Sequence, residues 1–159
     1  MSIDLSFTYA APPDAVLALL TDEQFLRDRA AALGTEVRGV TVVGSETVVR
    51  LAVSSRGIPP VFARLVGSSV VFVERTRWTT EGDHGHRGDL DARADVFGRS
   101  VQVTGERRLA PEDSGTRSTV TADVTVEAPL IGRRAESAVR EMVSAVLERE
   151  DELLRRRLA

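Results

Sequence analysis

Three places in the residue pattern invite chemistry. The first is Glu74, which alternates with Val70, Phe72, Thr76 and Trp78 along one face of an apolar segment. A carboxyl beside the chain's single Trp suits either a polar anchor for a largely apolar ligand or a general acid whose pKa burial has raised. The competing reading is a carboxylate satisfied by a neighbouring Arg, such as Arg107 or Arg50, since ion-pair networks also place carboxyls on sheets. Trp78 either fills a core or stacks a ligand. The second place is Asp83-His84-Gly85-His86, with Asp89 nearby. Zinc needs three or four oriented ligands, whereas this stretch reads as an exposed hairpin turn in a chain without Cys, so no metal site is expected. The third is Arg133-Arg134, able to meet an anionic head group or simply to form a solvated helix face. No Gly-x-Ser-x-Gly elbow and no Gly-rich phosphate loop occurs, so neither a serine triad nor a phosphate-bound cofactor is expected.

The elements that must position these residues follow from periodicity. Ile3, Leu5, Phe7 and Tyr9 alternate with polar residues, the period of a strand with one buried face. Ala11-Pro12-Pro13-Asp14 ends it, and Pro13 or Asp14 suits a helix start. Val16, Leu17, Leu19 and Leu20 give that helix its apolar face. Thr21 or Asp22 can cap a second helix with Phe25, Leu26 and Leu33 inward and Gly34 as its stop. Six β-rich stretches follow, over 37–43, 47–53, 70–80, 87–96, 100–109 and 118–127, separated by Gly- and Pro-rich breaks. Ile58–Val66, apolar and preceded by prolines, is expected as a lid. From Leu130 to Leu158 the period changes. Ile131, Ala135, Ala138, Val139, Met142, Val143, Val146, Leu153 and Leu154 form one helical stripe, and Arg155, Arg156 and Arg157 suit the negative end of the dipole.

Facing follows from cost. Turning Arg75 and Arg77 inward buries two unpaired cations; turning Phe72, Glu74 and Trp78 inward buries one carboxyl that can be protonated or bonded. Leu90, Ala92, Ala94 and Val96 then face inward on the next strand. A hairpin with an odd-length loop sets Arg77 opposite Asp89 and Arg75 opposite Asp91 on the solvent side.

The chain has 159 residues, 42% of them hydrophobic, which suits a single domain over residues 1–159 with one sizeable core. All 21 basic residues are Arg; they are scattered rather than striped, and the net charge of −3 does not suit nucleic acid. No apolar run approaches the roughly 20 residues that span a bilayer, so no integral membrane association is expected. The absence of Cys and of an apolar, basic leader at Met1-Ser2-Ile3-Asp4 fits a cytoplasmic protein.

One strand, two short helices, a six-strand meander and one long helix make an α+β protein. A seven-stranded antiparallel sheet must curve around a C-terminal helix, the one element large enough to cover it. Glu74-Arg75-Thr76-Arg77-Trp78, Gly105-Glu106-Arg107-Arg108-Leu109 and Ala128-Pro129-Leu130-Ile131-Gly132-Arg133-Arg134-Ala135-Glu136 carry a resemblance to the helix-grip, START-like (SRPBCC) superfamily. Within it they resemble an uncharacterised actinobacterial family. The Pro-Leu-Ile-Gly…Glu entry to the last helix is similar to the carbon-monoxide-dehydrogenase-associated branch and to quinone-binding relatives. The superfamily includes carriers, cyclases and co-chaperones, so fold alone leaves function open.

The imperfect closure of sheet on helix is expected to leave a pocket, typically roughly 300–1,000 Å³ where one exists. Its expected lining is Phe7, Phe72, Glu74, Trp78, Leu90, Val103, Val124, Val139, Met142 and Val146. The expected role is non-enzymatic binding or carriage of an apolar small molecule: a lipid, quinone or polyketide-like compound. The alternatives are a cyclase or dehydratase using Glu74 as acid or base, and a protein-binding module with a filled core.

Overall fold

The computed structural model describes residues 1–54, 56, 60, 69–96, 99–128, 130 and 132–159. The expected lid Ile58–Val66 lies, apart from Pro60, outside these residues, as do Ile131 of the helical stripe and the side chain of Val96. Strands β1 (Ser2–Tyr9), β2 (Glu36–Val43), β3 (Glu46–Ser54), β4 (Ser69–Glu81), β5 (Gly85–Val96), β6 (Arg99–Glu112) and β7 (Gly115–Val126) form one antiparallel sheet in the order β1-β7-β6-β5-β4-β3-β2. Helices α1 (Pro13–Leu20) and α2 (Glu23–Ala32) follow β1, and α3 (Gly132–Leu158) ends the chain. This is the helix-grip architecture expected from the element order.

Local chemistry explains the boundaries. Pro13 opens α1, where its missing N–H is not needed. Asp22 caps α2 by accepting from the Phe25 backbone N–H at 2.9 Å. Gly34, at φ 69°, takes the left-handed turn after α2. The β4–β5 register pairs Glu81 with Gly85 across a three-residue loop and sets Arg77 opposite Asp89 and Arg75 opposite Asp91, as expected. Strand β6 runs further than its Pro111 suggested. Its pairing with β5 ends at His86–Leu109, so residues 110–112 pair with β7 alone and a proline N–H is not missed. A bulge between Val37 and Gly39 resets the alternation of β2, which places Val37, Val40 and Val42 together against the core.

The interior has two clusters. One joins α1, α2 and the end of α3 through Val16, Leu20, Phe25, Leu26, Trp78 and Leu154. The other packs α3 on β1, β6 and β7 through Ile3, Val103, Val120, Val124 and Leu147. Strands β6 and β7 approach closely at Gly105: a Cβ there would stand 2.1 Å from the Thr121 carbonyl oxygen and 2.5 Å from the Ala122 Cα. No described helix is long and apolar enough to cross a membrane.

Candidate functional site

Strand β4 positions the site. Its inward residues are Phe72, Glu74, Thr76 and Trp78. Glu74 lies level with Val49, Ala92, Val103 and Val124 across the sheet. Thr76 lies level with Thr47, Leu90, Gly105 and Ala122, and Trp78 with Gly88, Arg107 and Val120. The Trp78 ring leans over Gly88, where an added Cβ would come within 3.0–3.1 Å of the indole and of the Thr76 methyl.

Between this surface, α2 and α3 lies a cavity of about 170 Å³. It is smaller than expected, because α2 and the residue that caps it close one side with Leu26, Arg29 and Leu33. Val139, Met142, Val143 and Val146 of α3 face it and are only half-buried. A helical stripe that faces a hollow keeps surface that a packed core would remove.

Eight expected lining residues meet at the cavity: Phe72, Glu74, Trp78, Leu90, Val103, Val139, Met142 and Val146. Phe7 and Val124 do not line it. They belong to β1 and β7, the strands against which α3 packs, so the helix covers their inward side chains.

The polar wall is a chain of four charges. The Arg29 guanidinium donates to both carboxylate oxygens of Glu74, Nη1 to Oε1 and Nη2 to Oε2, each at 3.0 Å. The same Nη1 donates to Glu150 Oε2 at 2.8 Å. Arg107 Nη2 reaches Glu150 Oε1 at 2.5 Å. Glu74 is thus satisfied by an arginine, but by Arg29 rather than Arg107 or Arg50. Arg107 belongs to Glu150, and Arg50 is exposed on the other face of β3. Two acids and two bases balance, as burial requires. Burial pulls the Arg29 pKa down, but Glu74 and Glu150 outweigh it and the net displacement is upward. Burial pushes Glu150 up, yet Arg107 and Arg29 hold it below the ordinary carboxylate value. Tyr9 is raised by burial first and then by the Asp151 carboxylate.

Arg29 and Glu150 escaped the sequence reading, although a signal existed. Arg29 is three and four residues from Leu26 and Phe25, and Glu150 stands three after Leu147 and four before Leu154. Each is a charge on the buried stripe of its helix, where an unpaired charge would be too costly. Three N–H groups of the wall, Arg29 Nε, Arg107 Nε and Trp78 Nε1, have no hydrogen-bond partner among the described residues. His86, from the metal-like stretch, instead meets Asp14 of α1, with Nε2 and Oδ1 2.6 Å apart. His84 occupies the turn at φ 71°. No metal-ligating cluster occurs among the described residues.

A family profile described as "Protein of unknown function (DUF2505)" matches residues 4–158. The chain belongs to the DUF2505 family. None of the curated proteins matches this DUF2505 chain in sequence. Solved structures do resemble it. A protein from Thermus thermophilus is 22% identical, with a TM-score of 0.64 over 97% of each chain. A STAR-related lipid transfer protein from Xanthomonas axonopodis is 17% identical, with a TM-score of 0.61 over 97% of this chain and 85% of its own. A START superfamily protein from Mycobacterium smegmatis is 16% identical, with a TM-score of 0.56 over 99% of this chain and 96% of its own. At these identities the likeness establishes the START-like fold of the DUF2505 chain.

Proposed function

We propose that this protein binds a small apolar molecule between the sheet, α2 and α3, with residues 1–159 acting as one binding unit. The observation that carries the reading is the cavity of about 170 Å³, whose wall charges are already paired with one another. An apolar guest therefore replaces no water that a charge needs, and burial of its surface supplies affinity at about 25 cal/mol per Å² before ordering costs. The shared fold of a STAR-related lipid transfer protein supports the same class of ligand.

Size narrows the class. An engineered cavity of roughly 150 Å³ takes up benzene, so a cavity of about 170 Å³ holds one ring or a short chain segment. Among lipid, quinone and polyketide-like ligands, one built on a single ring fits best. The role is carriage or sequestration in the cytoplasm, in a family of the actinobacterial type that the sequence motifs resemble. The engagement of both Glu74 oxygens by Arg29 favours binding over acid–base catalysis, and the hollow interior favours it over a module with a filled core.

Thermal unfolding and the fluorescence of Trp78 test the reading. A panel of single-ring apolar compounds should raise the unfolding midpoint in a concentration-dependent way, by the linkage expected of a ligand that binds only the folded state. The same compounds should perturb the emission of this one Trp in the cavity wall. A midpoint and a spectrum indifferent to the whole panel would contradict it.

A further inference from the structure

Two threonines stand side by side in the cavity wall. Thr47 and Thr76 are direct cross-strand partners on β3 and β4, and both line the cavity. They are 4% and 7% exposed. Elsewhere, the hydroxyls of Thr21, Thr35 and Thr116 each donate to a backbone carbonyl. Those of Thr47 and Thr76 bond no other group among the described residues. Neither oxygen is among the fully enclosed polar atoms that lack a partner, so the pair offers the cavity an unfilled polar position beside the charged wall.

Glu74 adds the second half. It follows Phe72 and precedes Thr76 on the same face of β4, so its Cα lies roughly 7 Å from that of Thr76. Its carboxylate accepts from Arg29, yet the side chain remains 30% exposed, and each carboxylate oxygen carries a further lone pair. A single oxygen placed between the two side chains accepts a hydrogen bond from a threonine hydroxyl and bonds Glu74 only by donating one.

Only some ligand groups meet both demands. A ketone, quinone or ether oxygen accepts from threonine but offers Glu74 no proton. A ligand carboxylate meets Glu74 as a like charge and finds no free cation, because Arg29 serves Glu74 and Glu150 while Arg107 serves Glu150. A hydroxyl does both and leaves the balanced charges undisturbed. We infer that the cavity selects a neutral, ring-sized alcohol or phenol, its hydroxyl held between Glu74 and the Thr47–Thr76 pair and its ring against the apolar face of α3. This inference rests on the binding function proposed above and names its ligand class.

Isothermal titration calorimetry with p-cresol, toluene and p-toluate at neutral pH tests it, since all three share the tolyl ring. p-Cresol should bind at least about tenfold more tightly than toluene, the size of one bond to a charged acceptor, and p-toluate more weakly than either. Thr76→Val keeps the side-chain shape and removes the hydroxyl. It should leave toluene affinity unchanged and weaken p-cresol by about three- to tenfold, the size of one neutral hydrogen bond, the bond to Glu74 remaining. Thr47→Val provides the same comparison at the partner strand. Equal binding of p-cresol and toluene, a ratio unmoved by both variants, or tighter binding of p-toluate would overturn the hydroxyl assignment and leave apolar binding standing. No heat with any of the three would overturn both.

Discussion

At the scale of single residues, Glu150 decides whether the interior holds together. It is 2% exposed and, among the described residues, is the one group that bonds both Arg29 and Arg107. Glu150→Gln leaves Arg107 without its carboxylate in a buried place, so it should cost about 3–5 kcal/mol, read from urea unfolding followed by Trp78 fluorescence. An exposed pair such as Arg27 with Glu23 should cost under about 1 kcal/mol when broken. The same residue sets an acid limit. Because its folded pKa is depressed, its contribution is present above the unfolded carboxylate value of about 4.3 and is lost as pH falls through the folded value. The stability gap between wild type and Glu150→Gln should therefore be constant from about pH 8 to 5 and narrow below about pH 4. A gap that does not change with acid would contradict a depressed Glu150. Glu74 was legible as the polar member of an inward face, because the alternative face carried two Arg. Its partner was not, because strand periodicity reports which side a residue faces and says nothing of which helix lies over it.

At the scale of elements, the order and type of each described strand and helix followed from the residue pattern, whereas the ends did not. Strand β6 passes its Pro111 because its neighbour β5 begins only at Gly85 and leaves that stretch unpaired on its side, a fact of register that no local pattern contains. Strand β2 carries a bulge that sequence alternation alone left unmarked. The demand for glycine at Gly105 is equally non-local, since only the paired backbone of Thr121 and Ala122 shows why a side chain is forbidden. Gly105→Ala forces a Cβ into that backbone and should destabilise by more than about 3 kcal/mol. Gly39→Ala, where nothing stands within 4 Å of an added Cβ, should change stability by less than about 1 kcal/mol. Equal unfolding midpoints for the two variants would contradict the close approach of β7 to Gly105.

At the scale of the whole molecule, a curved sheet and one long helix meet along β1 and β7 and diverge over β3, β4 and β5, leaving the hollow under α2. The sequence indicated a hollow from architecture but overstated its size and extended it to Phe7 and Val124, because nothing local reveals where a helix touches a sheet and where it stands off. Val146→Phe, which adds a ring within the cavity wall, should keep stability to within about 1–2 kcal/mol while filling the space a guest would take. The most direct measurement is native mass spectrometry of wild type and Val146→Phe, each produced in the native host and purified gently. The account predicts a one-to-one adduct of single-ring size on wild type and bare protein for the variant. Bare protein in both, or an adduct that survives Val146→Phe unchanged, would contradict a guest held between α3 and the sheet.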